Sequence, residues 1–255
     1  MFDTLLYHTK TIIGNLIHRS ESKDDFNWDH YSDHYKGELK DIAKTHTMVL
    51  NRGDCKITNG NIEYLTFIKP LHPNHQLLYE TIIQLHPVCI MEIGCGGGDH
   101  LHNISLLAPR IRQFGIDISQ QQVDLLHQRH PDLNSLVKVL DIAQPHIFDY
   151  PVADVVFTQA VLMHMKTDNN HLTALTNMFH AARNQVVLME NWTKHNFMND
   201  IKQVHHLLPL RWNHVHFYYR SLKDTDNPKL MIVSNARLDY PELKDYSILT
   251  DQQTQ

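Results

Sequence analysis

The sequence predicts an α/β fold: a doubly wound, seven-stranded, mostly parallel sheet with an antiparallel last strand, behind an N-terminal helical and hairpin cap. Three observations predict it. From Val88 onward, short apolar runs alternate with helical stretches, the pattern of a parallel sheet covered on both faces. The first of those runs leads into MEIGCGGGDH, residues 91–100, where four glycines crowd a strand-to-helix turn. The last two β-rich runs, HVHFYYR (214–220) and KLMIVSN (229–235), lack a clear helix between them and suit a closing antiparallel pair.

Taken in order, residues 1–19 place Leu5, Leu6, Ile12, Ile13, Leu16 and Ile17 near helical spacing. After the polar break SESKDD comes the aromatic-rich FNWDHYSDHY, and then a helix is expected near GELKDIAKTH. CKITNGNIEYLTF reads as a hairpin, because Asn59-Gly60 between alternating arms suits a turn with positive φ at both central residues. HPNHQLLYETIIQLH is helical, with Leu77, Leu78, Ile82 and Leu85 on one face. Five strands follow, VCIMEI (88–93), RQFGID (112–117), LVKVLD (136–141), DVVFT (154–158) and QVVLME (185–190), with helices near 99–108, 119–129 and 171–182. The expected organisation is a cap or lid over 1–70, a core over 71–240 and a polar tail over 241–255.

Composition narrows the function. Lys plus Arg total 23 against 28 Asp plus Glu, a formal charge of -5 that argues against a broad nucleic-acid footprint. The N-terminus does not read as a signal peptide and no run is long enough to span a membrane, so a cytoplasmic protein is expected. Cys55, Cys89 and Cys95 show no CxxC spacing and imply no disulfide framework. Histidine is abundant, 21 of 255, yet chance alone predicts about two H-x-H spacings and two occur, so no metal site is expected.

Glycines behind a first strand serve two kinds of ligand. The dinucleotide fingerprint G-x-G-x-x-G/A is met by Gly94 and Gly96 but broken by Asp99, an acid where a pyrophosphate would lie. The alternative pattern E-x-G-x-G-x-G is filled by Glu92, Gly94, Gly96 and Gly98, with Cys95 inside it. Here the chain resembles the class I S-adenosylmethionine-dependent methyltransferases, whose sheet is Rossmann-like, over residues 72–235. The resemblance makes 71–240 the methyltransferase domain and S-adenosylmethionine the cofactor. It implies that Asp117 accepts the ribose hydroxyls, that Ile118 packs on adenine, and that Asp141 and the Ile142 N–H meet the adenine amino group. Thr158 and Gln159 then stand near the methionine part. Tyr31 and Tyr35 of WDHYSDHY resemble a lid closing over the cofactor, and His75 of HPNH is a candidate for its carboxylate. Ordinary explanations stand beside these: helix packing for the tyrosines, a cap for Asp141.

The acceptor side belongs to the segments after strands four and five. His164 suits proton removal near pH 7, and Glu190 is a second candidate base. Trp192 either stacks on a sugar or plugs the core. The chain from WDHYSDHY through LHPNH, EIGCGGGDH, TQAVLMH and LMENW looks like bacterial methyltransferases of surface-polysaccharide and related biosynthesis. That resemblance implies methylation of an oxygen or nitrogen on a small hydroxylated molecule. A protein or RNA acceptor is the alternative, with a docking face over 195–220. A non-catalytic cofactor-binding module is a third reading, disfavoured by the intact Gly96 and Asp117.

Overall fold

The computed structural model describes residues 47–145, 151–166, 169–207 and 211–251. Tyr31, Tyr35, the expected helices over 1–19 and GELKDIAKTH, and residues 252–255 lie outside these. A hairpin of β1 (Cys55–Thr58) and β2 (Asn61–Tyr64) precedes helix α1 (Pro73–Gln84). Asn59 and Gly60 have φ of 51° and 77°, as the tight turn requires.

Then strands and helices alternate: β3 (Cys89–Ile93), α2 (Asp99–Leu107), β4 (Arg112–Asp117), α3 (Gln120–Arg129), β5 (Val137–Val139), β6 (Ala153–Gln159), α4 (Asn170–Ala181), β7 (Ala182–Met189) and α5 (Phe197–Leu207). The chain closes with β8 (His216–Ser221), β9 (Pro228–Ser234) and the short α6 (Ser247–Thr250).

The seven-stranded sheet has the order β5-β4-β3-β6-β7-β9-β8. Strands β3 to β7 pair in parallel, and β9 inserts antiparallel between β7 and β8. The direction of winding reverses at β3, which has β4 on one side and β6 on the other, so a crevice opens beyond their carboxyl ends. All five residues of β3 are buried, which explains why that strand reads as apolar throughout rather than alternating.

Each face of the sheet has its own core. Ile90, Phe157 and Val187 pack with Leu78 and Ile82 of α1, Leu101 of α2 and Leu126 of α3. Met91, Val156 and Leu188 pack with Leu175 and Phe179 of α4 and Phe197 and Ile201 of α5. Helix α1 begins where Pro73 needs no N–H partner, and Nδ1 of the capping His72 accepts from the Asn74 N–H at 3.2 Å.

Three details differ from expectation. Helix α5 occupies the aromatic run after β7, for which the sequence reading gives no helix; its Phe197, Met198, Ile201 and Val204 recur at helical spacing and are buried. Phe197, Trp212, Phe217 and Tyr218 all point inward, so the aromatics that suggested a docking face over 195–220 serve the core. The stretch from 241 reads in sequence as a polar tail, yet Leu243 and Leu249 are buried. The hairpin also docks on the domain. Glu80 Oε1 accepts from Ile62 N at 2.9 Å, and Asn103 Oδ1 from Leu50 N at 2.8 Å.

Candidate active site

The glycine turn sits at the carboxyl end of β3. Gly94 N and Cys95 N both donate to Ile116 O, at 2.8 and 3.0 Å, which ties the turn to β4. Gly94 has φ 69°, and a Cβ there would meet Val161 Cγ2 at 2.4 Å, so glycine is needed for both conformation and packing. Gly96 differs. Its φ is 50°, and among the described residues a Cβ there would meet only Gln122 Oε1, in ordinary van der Waals contact at 3.6 Å. Gly98 caps α2 in the left-handed conformation, and the Cys95 thiol is buried behind the turn.

Asp117 links the turn to the next loop. Its Oδ2 accepts from Gly96 N and its Oδ1 from Ser119 N, both at 2.8 Å. Beside it, Ile118 is 50% exposed, an apolar side chain left on the rim at the end of β4. Glu92 is fully enclosed, and its Oε2 has no hydrogen-bond partner among the described residues. Burial, with Asp117 and Asp99 nearby, holds its carboxyl well above the usual carboxylate range.

Asp99 corrects the sequence argument. It does not face a ligand: it is hydrogen-bonded to His130 Nε2 at 2.8 Å and lies 3.4 Å from Arg129 Nη1, in a buried cluster at the end of α3. The two partners come from the carboxyl end of α3, so the acid is already balanced within the protein.

Beside the turn lies a group of rings from α1 and α2. His75 and His100 meet edge to face at 4.8 Å, His100 Nδ1 is hydrogen-bonded to Tyr79 OH at 2.6 Å, and His75 Nε2 is 3.4 Å from Gln159 Nε2. Burial pushes His75 down to about 3 and His100 to about 4, so both imidazoles are neutral at pH 7. His75 Nδ1 is buried without a hydrogen-bond partner among the described residues.

Asp141 folds its carboxylate into the local turn, accepting from Ala143 N at 2.9 Å and Gln144 Nε2 at 2.6 Å. Ile142 is buried, and its carbonyl accepts from Asn177 Nδ2 at 2.7 Å.

After β6 the chain makes a tight 3-10 turn, Leu162–His164, preceded by Ala160 at a positive φ of 54°. Glu190, at the end of β7, organises it. Its Oε1 accepts from Val161 N at 3.1 Å and Thr158 Oγ1 at 3.3 Å, and its Oε2 from Met163 N at 3.0 Å. Burial raises its pKa to about 7 against these hydrogen bonds. His164 is half-buried, and burial, with Lys166 and Lys194 adding repulsion, lowers its pKa. Trp192 is buried against Phe197 and serves the core.

A methyltransferase domain family matches residues 91–188, from β3 into β7. Over these residues the chain is similar to a methyltransferase domain. Among solved structures, a TehB-like S-adenosylmethionine-dependent methyltransferase from Corynebacterium glutamicum superposes with a TM-score of 0.50 at 13% identity, over 84% of this chain and 99% of that one. An O-methyltransferase family protein from Burkholderia thailandensis gives 0.50 at 11% identity, over 64% of this chain and 55% of that one. An O-methyltransferase from a trans-AT polyketide synthase multienzyme of Brevibacillus brevis gives 0.36 at 20%, over 42% of this chain and only 36% of that one. The first two likenesses show a shared fold. No curated protein sequence matches the chain.

The fold gathers Glu92, Gly94, Gly96, Asp117 and Ile118 around one turn, with His75 and Gln159 hydrogen-bonded to each other close by. Two contributors escape the sequence reading: Val161 fills the space above Gly94, and Tyr79 holds His100. Glu190, read from the sequence as a candidate base, holds the turn that carries His164. Sequence spacing carries no signal for contacts between such distant segments. Among the described residues, no helix is long and apolar enough to cross a membrane.

Proposed function

We propose that this chain binds S-adenosylmethionine at the Gly94–Gly98 turn and transfers its methyl group to an oxygen or nitrogen of a small molecule, with sugars and polysaccharide precursors the first class to test. The observation that carries this reading is the Gly96 backbone, loosely packed among the described residues, with the Asp117 carboxylate anchored beside it at the winding switch of the sheet.

The donor set fits the cofactor. Glu92 Oε2, buried without a partner among the described residues, suits the positive end of a sulfonium amino acid far better than a pyrophosphate. In this reading Asp117 holds the ribose hydroxyls, Ile118 covers adenine, and Asp141 with the Ile142 N–H addresses its amino group. Thr158 and Gln159 line the methionine part, and neutral His75 donates to its carboxylate. When bound, the cofactor supplies a methyl carbon activated by its sulfonium leaving group.

The chain's own residues must then align the acceptor and manage its proton. His164 is the base assigned here, because burial keeps it unprotonated at neutral pH. Glu190 positions rather than abstracts, since both of its oxygens hold the turn. A cytoplasmic setting accompanies this reading, with Cys55, Cys89 and Cys95 as free thiols.

Calorimetric titration with S-adenosylmethionine, S-adenosylhomocysteine and NAD tests it. Saturable binding of the two adenosyl compounds, and none of NAD, is expected. Failure of both adenosyl compounds to bind would overturn the assignment of the turn.

A further inference from the structure

A second cluster lies on the acceptor side, outside the residues used above. His171 is the second residue of α4, His195 follows β7, and Asp200 stands in the first turn of α5. One ligand atom from each of the three lies within 4.8 Å of the others. His171 Nε2 is 3.7 Å from Asp200 Oδ2, and the two imidazoles stack at 4.0 Å. The carboxylate is only 20% exposed and the His171 side chain 13%.

The orientation of His195 is the informative part. Its Nε2 is buried without any hydrogen-bond partner among the described residues, and the backbone of Leu162 and Met165 lies beside the ring. A buried imidazole nitrogen left without a partner costs free energy that coordination to a metal ion would recover.

We propose that His171, His195 and Asp200 bind one divalent transition-metal ion of the zinc class. Two imidazoles and a carboxylate are a donor set suited to such an ion, and three protein ligands leave a position for water or an acceptor oxygen. Bond lengths of about 2.0–2.1 Å in a tetrahedron put neighbouring ligands about 3.4 Å apart. The His171–Asp200 pair is close to that spacing already, and the widest separation must close by about 1.4 Å. A metal lies in the plane of each imidazole, so the stacked rings must tilt apart when it binds. The ion would tie α4, the β7–α5 loop and α5 together, next to the turn that carries His164.

The test uses the full chain stripped with chelator and titrated with Co2+, which reports N/O coordination through its visible absorption. One equivalent should bind with low-symmetry, high-intensity bands, and Zn2+ should displace it. His195→Gln and Asp200→Asn should each weaken binding about 100-fold while keeping the wild-type circular dichroism. With 21 histidines in the chain, adventitious binding needs a control. His214→Ala with His216→Ala, which removes two imidazoles outside the proposed ligand set, should leave the tight equivalent intact. Tight binding unchanged in both ligand variants, or no stoichiometric binding at micromolar free metal, overturns the proposal. This outcome is independent of whether the adenosyl compounds bind.

Discussion

Glu190 and Met163 are joined by a hydrogen bond of 3.0 Å from the Met163 N–H to Oε2, while Oε1 takes the Val161 N–H at 3.1 Å. One carboxylate at the end of β7 therefore fixes the shape of the turn beyond β6. The left-handed Ala160 just before it is a conformation that costs about 1 kcal/mol or more unless its surroundings hold it. Glu190→Gln replaces one acceptor with an amide facing a backbone N–H. Turnover should fall at least tenfold with cofactor affinity nearly unchanged, and steady-state kinetics beside calorimetry separate the two. Equal loss of both would mean that Glu190 touches the cofactor.

The same residue has a pH signature. Its folded pKa, about 7, exceeds the ordinary 4.5, so the folded chain keeps a proton that the unfolded chain releases. Its contribution to stability is full below about 4.5 and is lost as pH rises through about 7. Thermal melts of Glu190→Gln should accordingly lose less stability between pH 5 and 7.5 than wild type. An identical pH dependence would refute the raised pKa.

His75 and His100 act in the opposite sense. Their folded pKa values, about 3 and about 4, lie below the ordinary 6.5, so the unfolded chain takes up protons that the folded chain refuses. Stability is present above 6.5 and falls as acid is added, by at most about 1.4 kcal/mol per pH unit for each ring. Denaturant titrations of His100→Gln between pH 6.5 and 4 should show a shallower decline.

Gly94→Ala should destabilise through two separable terms. The left-handed φ costs about 1–2 kcal/mol for a residue with a Cβ, and the clash with Val161 about 1–3 kcal/mol. Adding Val161→Ala should return part of the second term and none of the first. Urea unfolding of the single and double variants measures both, and no rescue would place the clash elsewhere.

Asp117→Ala removes the acceptor for Gly96 N and Ser119 N as well as the proposed ribose contacts. S-adenosylhomocysteine should bind about 2–4 kcal/mol more weakly. Unchanged affinity by calorimetry would exclude Asp117 from the cofactor site.

Much of this was legible in the order of residues. The strands and most helices announce themselves because a parallel strand buried on both faces must be apolar throughout, as Cys89–Ile93 is. The glycine turn is legible because positive φ restricts the side chain locally, and Asp117 because it ends the second strand of that pattern. Helix α5 hid because its aromatics resemble an exposed run until their helical spacing meets a sheet face.

The winding of the sheet, the turn at Gly94–Gly98 and the acids that frame it are written in the order of residues. These depend on local periodicity and backbone sterics, which act over a few residues. The tertiary structure alone decided what the charged and aromatic groups do. Asp99 is balanced by Arg129 and His130, Glu190 grips the 161–163 turn, Trp192 fills the core, and the His195 ring stacks on His171 beside Asp200. Each of those outcomes depends on burial and on partners distant in sequence, and the energy of a polar group is set by the partner it meets rather than by its neighbours along the chain.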